Sequence, residues 1–372
     1  MDLVTQIDLC MECEICSDVC QSYLTAQKQA YLPISRLKAA GKILQGEKAS
    51  LEEIEGLYTC LKCERCTKVC PQEIDMSQIV RKAQSELLKK GDAPLLVKKV
   101  KEQMEEIRKT GNPKLGAPEK RWEWLPEKFP VKESETLLFV GCMPSYWLKD
   151  IAISSYLLLR KLAIDFTMTK EEVCCGHYLY NMGEIELARE QFIENIENFN
   201  RLGIRRIITL CPGCYRTFKD WLPELIGSMD LEVLHIVQVL LPVLKEKGDT
   251  NGLKYPRNLE FTYHDPCELT RVGGIYEEPR EILRLCGINL IEMEENKDQA
   301  PCCGGGGGVA GNFLDFAVDI AAQVLDNIPT SDVITSCPAC FLRLSHASKK
   351  RQKGKRLYYV SQVLEETVNR SV

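Results

Sequence analysis

The sequence lacks an apolar run long enough to cross a membrane as a helix, which takes roughly 18 residues. Its most apolar stretch, residues 233–244, is shorter and contains His235 and Gln238. A strand-forming start followed by a helical pattern is typical of a buried core segment. We therefore expect a buried strand and the start of a helix there.

The sequence also lacks a surplus of positive charge and the features of a secretory leader. Its formal net charge is −5, without a basic stripe, so a nucleic-acid partner is not expected. The opening residues, MDLVTQIDLC, contain neither the basic nor the apolar region of a signal peptide. A length of 372 residues allows two or three domains, and a hydrophobic content of 45% is ample for their cores.

Cysteine, by contrast, is present in excess. Nineteen cysteines could form a disulfide framework or bind metal. Disulfide-dense scaffolds are usually small and secreted, whereas this chain is large and its cysteines cluster at metal-ligand spacings. We therefore favour metal, in a reducing and anaerobic cytoplasmic setting.

Two cysteine runs near the N-terminus share the spacing C-x2-C-x2-C-x3-C. This spacing is typical of bacterial ferredoxins, in which the fourth cysteine of each run reaches the neighbouring cluster. We therefore predict two cubane 4Fe–4S clusters: one on the first cubane set, Cys10, Cys13, Cys16 and Cys70, and one on the second cubane set, Cys60, Cys63, Cys66 and Cys20. Structural zinc is the alternative, although zinc sites use cysteine pairs or Cys/His mixtures.

The long insert between the runs, residues 21–59, predicts a helical ferredoxin-like domain rather than a short β-rich one. Helical patterns cover residues 34–40 and 77–90, and a charged pattern continues to Arg108. We place this domain at residues 1–108.

Residues 109–135 form a predicted linker. Trp122 and Trp124 are expected to anchor it to the surface. Its helix-breaking prolines are Pro113, Pro118, Pro126 and Pro130.

The rest of the chain repeats itself at an offset between 124 and 128 residues. The paired segments are LLFVGC with FTYHDPC, CCG with CCG, IITLCPGC with VITSCPAC, and LEVLHIVQVL with KRLYYVSQVL. Apolar strands alternating with helices predict two α/β domains, each a parallel sheet covered by helices on both faces. We place them at residues 136–250 and 251–372. The chain is thus predicted to be an α+β multidomain protein whose cysteine motifs begin where strands end.

Each repeat supplies five cysteines. The first CCG set is Cys142, Cys174, Cys175, Cys211 and Cys214, and the second CCG set is Cys267, Cys302, Cys303, Cys337 and Cys340. A cubane needs four ligands, so an adjacent pair suits two irons or a bridging role better than one cube face. Pro212 and Pro338 are expected to force a turn within each C-P-x-C motif. Cys286 lies outside every motif and is interpreted as a buried helical cysteine.

These motifs resemble the CCG-domain family. The whole chain is similar to the heterodisulfide reductases of methanogenic archaea, and specifically to their D-type subunits, in which the separate C-type and B-type subunits are fused. The resemblance implies two non-cubane 4Fe–4S clusters on the CCG sets, with a disulfide of the CoM-S-S-CoB type reduced between them. It implies flavin- or iron–sulfur-containing electron-transfer partners and a membrane cytochrome b partner, which would hold the chain peripherally at the cytoplasmic membrane.

The same architecture resembles the iron–sulfur subunits of glycolate oxidase and of anaerobic glycerol-3-phosphate dehydrogenase. That resemblance implies a second function, in which the chain relays electrons from a flavin dehydrogenase to a quinone or another acceptor. No nucleotide fingerprint is present in the sequence, so electrons are expected to come from a partner.

The two CCG motifs differ in the residues that come after them. The second precedes a glycine tract, in which Gly304, Gly305 and Gly306 are predicted to allow close backbone approach to the cofactor and to donate N–H groups to its sulfides. The first precedes His177, Tyr178, Leu179 and Tyr180, a bulky stretch that could narrow a substrate cleft.

His177 is the candidate catalytic residue, as proton donor to a leaving thiolate. Simple packing beside a cluster is the alternative. His264 could hydrogen-bond a cluster sulfur or cap its loop. Disulfide cleavage further requires residues 211–214 to lie opposite residues 337–340 in one cleft. If Tyr178 and Tyr180 fill that cleft, the electron-relay function is favoured instead.

Overall fold

The computed structural model describes residues 3–90, 94–112, 117–129, 132–246, 255–256 and 259–368. A helical N-terminal domain is followed by two domains that each contain a parallel sheet. The predicted α+β multidomain class is therefore confirmed. Within the described ranges, every helix is too short or too polar to cross a membrane.

The N-terminal domain is built from eight α-helices. They are α1 (Leu3–Asp8), α2 (Ile15–Asp18), α3 (Gln21–Ala26), α4 (Pro33–Leu44), α5 (Leu51–Tyr58), α6 (Arg65–Val69), α7 (Met76–Lys89) and α8 (Leu95–Thr110). Helix α4 starts on Pro33, whose fixed φ suits the first helical position. Helix α5 starts with a capping box in which Ser50 and Glu53 satisfy each other's backbone N–H groups. Apolar faces of α4 and α7, including Leu37 and Ile79, form the core between the two cysteine runs.

Two helical predictions differ in detail from the structure. The pattern predicted over residues 77–90 forms α7, and its expected stop, Gly91, lies outside the described residues. The charged pattern after it forms a separate helix, α8, because Pro94 precedes it and disfavours continuation of the helix.

The linker lies against the first sheet domain, as the tryptophans predict. Trp124 is buried and stacks edge-on against Tyr156, with ring centroids 6.0 Å apart, and Trp122 packs on Phe129 at 5.1 Å. A 3₁₀ turn, Pro118–Trp122, lies between α8 and Trp124 in the chain and ends on Trp122 itself. Pro113 and Pro130 lie outside the described residues.

The first sheet domain contains three parallel strands in the order β1–β2–β3: β1 (Thr136–Phe139), β2 (Arg206–Thr209) and β3 (Glu232–His235). Its helices are α9 (Cys142–Tyr146), α10 (Lys149–Lys161), α11 (His177–Asn181), α12 (Ile185–Arg201), α13 (Pro212–Arg216), α14 (Leu222–Ile226) and α15 (Ile236–Glu246), with a π-helical turn at Thr217–Trp221. Strand β3 followed by α15 confirms the prediction for residues 233–244.

The second sheet domain contains four parallel strands in the order β5–β4–β6–β7: β4 (Glu260–His264), β5 (Asn289–Leu290), β6 (Asp332–Thr335) and β7 (Arg356–Tyr359). Its helices are α16 (Glu277–Leu285), α17 (Val309–Asn312), α18 (Leu314–Asp326), α19 (Pro338–Lys350) and α20 (Val360–Val368), with a π-helical turn at Glu268–Val272. Parallel strands bring their carboxyl ends to one edge, which is where the cysteine motifs begin.

One prediction about the C-P-x-C motifs is wrong. Pro212 and Pro338 do not form turns but occupy the first positions of α13 and α19, with Cys211 and Cys337 as their N-cap residues. Proline suits this position because its missing N–H would have no partner there. The second thiol of each motif is thereby carried on the first turn of a helix.

The two sheet domains pack against each other through α10 and α20, where Ser154 and Ser155 hydroxyls lie 2.8 Å from the Ser361 hydroxyl. Deeper in the interface, the Tyr359 hydroxyl donates a 2.6 Å hydrogen bond to the Leu210 carbonyl, one residue before Cys211. The interface therefore runs directly past the strand ends that carry the cysteines.

Candidate metal centres

The structure gathers the first cubane set around one cleft. Its lining includes all four predicted cysteines, Cys10, Cys13, Cys16 and Cys70. Glu12 and Glu14 have φ angles of 54° and 60°, which curl the backbone so that successive thiols turn towards the same point. Burial, together with the neighbouring thiols, raises the pKa of Cys16 to about 11.

The second cubane set repeats this geometry. Its cleft is lined by Cys20, Cys60, Cys63 and Cys66. Lys62 and Glu64 have φ angles of 51° and 61°, matching the curl of the first loop. Burial and the adjacent thiols of the set hold the pKa of Cys66 well above its usual range. Each cleft is lined by three cysteines of one run and the fourth of the other, and Cys66 lines both clefts.

A buried arginine that sequence reasoning missed contacts the second cubane set. Arg36, on α4, is 2% exposed, and its Nη1 donates to the Cys20 Sγ at 3.3 Å. Its Nε donates to the Gly56 carbonyl and its Nη2 to the Ser22 hydroxyl, each at 2.7 Å. The guanidinium is therefore fixed beside one predicted ligand sulfur. Its only signal in the sequence is a basic residue in the helix between the runs.

Each CCG set forms a continuous chain of thiols. In the first, pairwise side-chain interactions connect the sulfurs in the order Cys142, Cys174, Cys175, Cys214, Cys211. In the second, the order is Cys267, Cys302, Cys303, Cys340, Cys337. The two chains match cysteine for cysteine, as expected for two copies of one domain.

The chemistry of these sites fits iron–sulfur clusters. In the first CCG set, the adjacent Cys175 and Cys211 thiols and burial hold the pKa of Cys214 well above its usual range. Crowded thiols oppose one another's ionisation, and an iron core that binds thiolates removes this conflict. All nineteen cysteines are free thiols, so no disulfide competes for them. The individual ligand assignments stay predictions that this proximity supports.

Two sulfur contacts connect the sets across domain boundaries. The Cys63 side chain of the second cubane set interacts with that of Cys302 in the second CCG set, and this interaction lowers the pKa of Cys63 to about 6 despite its burial. The Cys337 side chain of the second CCG set in turn interacts with that of Cys211 in the first. The four sets therefore succeed one another in space, from the N-terminal cubane sets through the second CCG set to the first.

The Cys211–Cys337 contact brings residues 211–214 beside residues 337–340. Nearby, Arg216 binds one carboxylate from each of the other two domains. Its Nη1 donates to Glu268 at 3.0 Å and its Nη2 to Glu64 at 2.5 Å. This arginine fixes the two CCG sets and the second cubane loop relative to one another.

His177 lies at this junction. Its ring stacks on Trp221 with centroids 5.0 Å apart, and its Nε2 is 3.4 Å from the Glu268 carboxylate. Although burial opposes its ionisation, Arg216 and His177 lower the pKa of Glu268 to about 2. A Cβ at Gly213 would meet the ring at 3.0 Å, so the imidazole packs directly on the C-P-x-C loop of the first CCG set.

Tyr178 and Tyr180 contact residues of the helical domain. The Tyr178 hydroxyl donates to Gln103 of α8 at 2.9 Å. The ring centroids of Tyr180 and Trp221 are 4.5 Å apart. The guanidinium carbon of Arg81, on α7, lies 4.4 Å from the Tyr180 ring centroid. The bulky stretch therefore binds the first sheet domain to the helical domain.

The backbone of the glycine tract approaches both a cysteine of the second CCG set and the backbone of the second cubane loop. A Cβ at Gly305 would lie 3.5 Å from the Cys303 sulfur, whereas one at Gly306 would lie 2.6 Å from the Leu61 carbonyl. A Cβ at Gly307, whose φ is 60°, would lie 2.0 Å from the Cys60 carbonyl oxygen. Gly304, at φ 81°, packs against α18. The tract is where the second sheet domain touches the second cubane loop.

Cys286 stands apart from all four sets. It caps the end of α16, is fully buried, and has its pKa raised to about 12 by that burial. This position agrees with its interpretation as a core cysteine.

Two family models match the chain. The cysteine-rich CCG domain matches residues 136–219 and 261–345, and the 4Fe-4S dicluster domain matches residues 6–74. Both matches coincide with the cysteine sets.

Curated relatives match over most of the chain. The D subunit of dihydromethanophenazine:CoB–CoM heterodisulfide reductase from Methanosarcina barkeri is 30% identical over 367 residues, covering 91% of this chain and 88% of that protein. The B subunit of fumarate reductase (CoM/CoB) from Methanothermobacter marburgensis is 29% identical, covering 83% and 61%. EtfAB:quinone oxidoreductase of Syntrophomonas wolfei is 27% identical, covering 96% and 58%.

Proposed function

The chain belongs to the family of the heterodisulfide reductase D subunit, a family of iron–sulfur oxidoreductase subunits, and from this we propose that it reduces a disulfide between its two CCG sets. The proposed substrate is of the CoM-S-S-CoB type, in line with the name of its relative in Methanosarcina barkeri. The proposed cofactors are two cubane and two non-cubane 4Fe–4S clusters.

The contact between Cys211 and Cys337 carries this proposal. A scissile disulfide presents two sulfur atoms, so two similar cysteine-bound centres must meet in one place. A relay requires only that each centre lie within electron-transfer reach of the next. The meeting of the two CCG motifs at the domain interface is therefore more specific than a relay requires.

The proposed path of the electrons follows the spatial order of the cysteine sets. When bound, iron–sulfur clusters accept and donate electrons one at a time. Electrons from a flavin- or iron–sulfur-containing partner would enter through the cubane sets and reach the second CCG set at the Cys63–Cys302 contact. A membrane cytochrome b is the partner proposed for a membrane-attached form, with the chain on the cytoplasmic side.

Reduction of R–S–S–R′ breaks one S–S bond, takes up two electrons and two protons, and releases two thiols. The electrons come from the partner, and His177 is proposed to hold one of the protons at Nε2 for a leaving thiolate. The Glu268 carboxylate, 3.4 Å from that nitrogen, orients the ring.

An anaerobic turnover assay tests this function. The full chain with its clusters, reduced viologen and CoM-S-S-CoB should oxidise two viologens per disulfide and release two thiols. A Cys337→Ser variant should lose turnover, while the cubane signals persist. Fully loaded protein that reduces no disulfide would contradict the proposal.

Electron relay between a flavin dehydrogenase and a quinone is the second candidate. It is favoured by the 27% identity to EtfAB:quinone oxidoreductase, which extends over 96% of this chain. A relay protein would fail the disulfide assay yet pass electrons from a reduced flavoprotein to a quinone analogue.

A further inference from the structure

His264 is a buried histidine that the proposed reaction does not use. It ends β4, is 1% exposed, and neither ring nitrogen has a nitrogen or oxygen partner among the described residues. Leaving such polar groups buried without a partner destabilises the folded chain. The position therefore calls for a partner that protein oxygen and nitrogen atoms do not supply.

The ring faces sulfur. One imidazole nitrogen, the Cys303 Sγ and the Cys340 Sγ all lie within 4.8 Å of one another, and all three residues are buried. Cys303 and Cys340 are neighbours in the thiol chain of the second CCG set. The imidazole thus approaches the middle of that set and not its rim.

Loop capping does not account for this histidine. The loop after β4 is held by Asp265, whose carboxylate binds Arg280 in a bidentate pair at 2.8 Å and accepts the Lys297 backbone N–H at 2.9 Å. The hydrogen bonds that order the loop therefore belong to the next residue along the chain.

At the equivalent position the first repeat has no nitrogen. The residue there, at the end of β1, is Phe139, whose ring packs on Phe218 at 4.8 Å and Phe199 at 6.3 Å. The buried histidine near the first CCG set is His235, which ends β3 and interacts with Cys211. The exchange of hydrocarbon for imidazole is therefore a chemical difference at one equivalent position of the two CCG sets.

We infer that His264 donates an N–H hydrogen bond to the Cys303 sulfur when the second CCG set holds its cluster, and thereby raises the reduction potential of that centre. Hydrogen bonds to ligand sulfurs stabilise the reduced, more negative state of a cluster. The inference rests on the proposed occupation of the second CCG set, but not on disulfide reduction.

Selective labelling tests the contact directly. Full-length protein is purified anaerobically with ¹⁵N-histidine as its only label, and pulsed EPR is recorded on the CCG centres without substrate. We expect a ¹⁵N coupling at the second CCG centre, which disappears in His264→Phe, the residue of the first repeat, and in His264→Gln. It should persist in His346→Gln, which removes one of the other three labelled histidines.

Potentiometric titration tests the consequence. At a fixed potential, His264→Phe should lower the reduced-to-oxidised ratio of one CCG centre about tenfold, or 59 mV for a one-electron couple. His264→Gln keeps an N–H donor and should shift the ratio less. The cubane signals should not move in either variant.

Absence of ¹⁵N coupling in the unsubstituted protein, or coupling that survives in both His264 variants, would overturn the inference. If His264→Phe does not retain its cubane signals, the smaller His264→Gln change decides the question alone. None of these measurements involves a disulfide, so a relay protein would give the same coupling, and a failed turnover assay would leave the inference standing.

Discussion

The Cys63 thiol of the helical domain interacts with the Cys302 thiol of the second sheet domain. This contact makes the second CCG set the point where the cubane sets meet the rest of the molecule. Arg271 reinforces it, since its Nη1 donates to the Cys63 carbonyl at 2.7 Å. Predictions about electron entry therefore concern the residues around this loop.

Removing the charge of Arg36 should lower the reduction potential of the second cubane centre. In Arg36→Met, Cys20 loses its hydrogen bond and a buried positive charge disappears from beside it. We expect the reduced-to-oxidised ratio to fall about tenfold at fixed potential, equal to 59 mV. Lys42→Met, on the same helix but exposed and paired with Glu53, should leave both cubane signals unchanged in an EPR titration.

Iron content should distinguish ligand from core cysteines. Four occupied sets predict about sixteen irons per chain in anaerobically purified protein. Cys286→Ser should keep them all, because this residue lies outside every set, whereas Cys303→Ser should lose the second CCG centre and keep the cubane spectrum. About eight irons with added zinc, or iron loss in Cys286→Ser, would refute these assignments.

Gly307→Ala should slow electron transfer from the second cubane centre to the CCG centres. The new Cβ would lie 2.0 Å from the Cys60 carbonyl, so the cubane loop and the second sheet domain must move apart. Gly354→Ala is the matched control, since Gly354 has a similar φ of 67° but no atom within 4 Å of its Cβ position. Both changes should cost about 1–2 kcal/mol of backbone strain, but only Gly307→Ala should slow the reduction of the CCG signals in stopped-flow measurements.

Loss of Arg121 should destabilise the first sheet domain. Arg121 and Glu172 form a fully buried ion pair, and Glu172 also accepts the backbone N–H groups of Val140 and Gly141, just before Cys142. Arg121→Met leaves a buried unpaired carboxylate, at a cost of about 3–5 kcal/mol. Urea unfolding should show this loss together with depletion of iron from the first CCG set.

A matched variant shows whether burial causes that loss. Arg160→Met removes an arginine from a largely exposed pair with Glu127, and such pairs contribute about 0–1 kcal/mol. Equal urea midpoints for the Arg121 and Arg160 variants would contradict the predicted role of the buried pair.

His177→Gln should reduce disulfide turnover by about 10²–10⁴-fold, the usual contribution of a positioned acid. The reduction of all four centres by viologen should stay at the unsubstituted rate, because His177 belongs to no cysteine set. The measurement compares single-turnover reduction of the clusters with steady-state thiol release. If both rates fall together, His177 serves packing and not proton transfer.

The features that could be predicted from the sequence are those fixed by local chain geometry. The C-x2-C-x2-C-x3-C spacing alone predicts the cubane sets, because a loop of this length curls three thiols around one point wherever it is placed. The repeat offset likewise predicts two parallel-sheet domains with cysteines at strand ends, as found for Cys211 after β2 and Cys337 after β6. The proline positions in the C-P-x-C motifs were misread because proline suits a turn and a helix start equally well.

Only the tertiary structure decided which set meets which. Cys63 and Cys302, or Arg216 and Glu64, are far apart in the chain, and their contacts depend on how every intervening element packs. The same holds for Arg36 beside Cys20 and for His264 beside Cys303. Such contacts leave no periodic or spacing signal in the sequence. Burial of apolar faces positions the helices and strands, and the polar groups that these elements carry come together as a consequence.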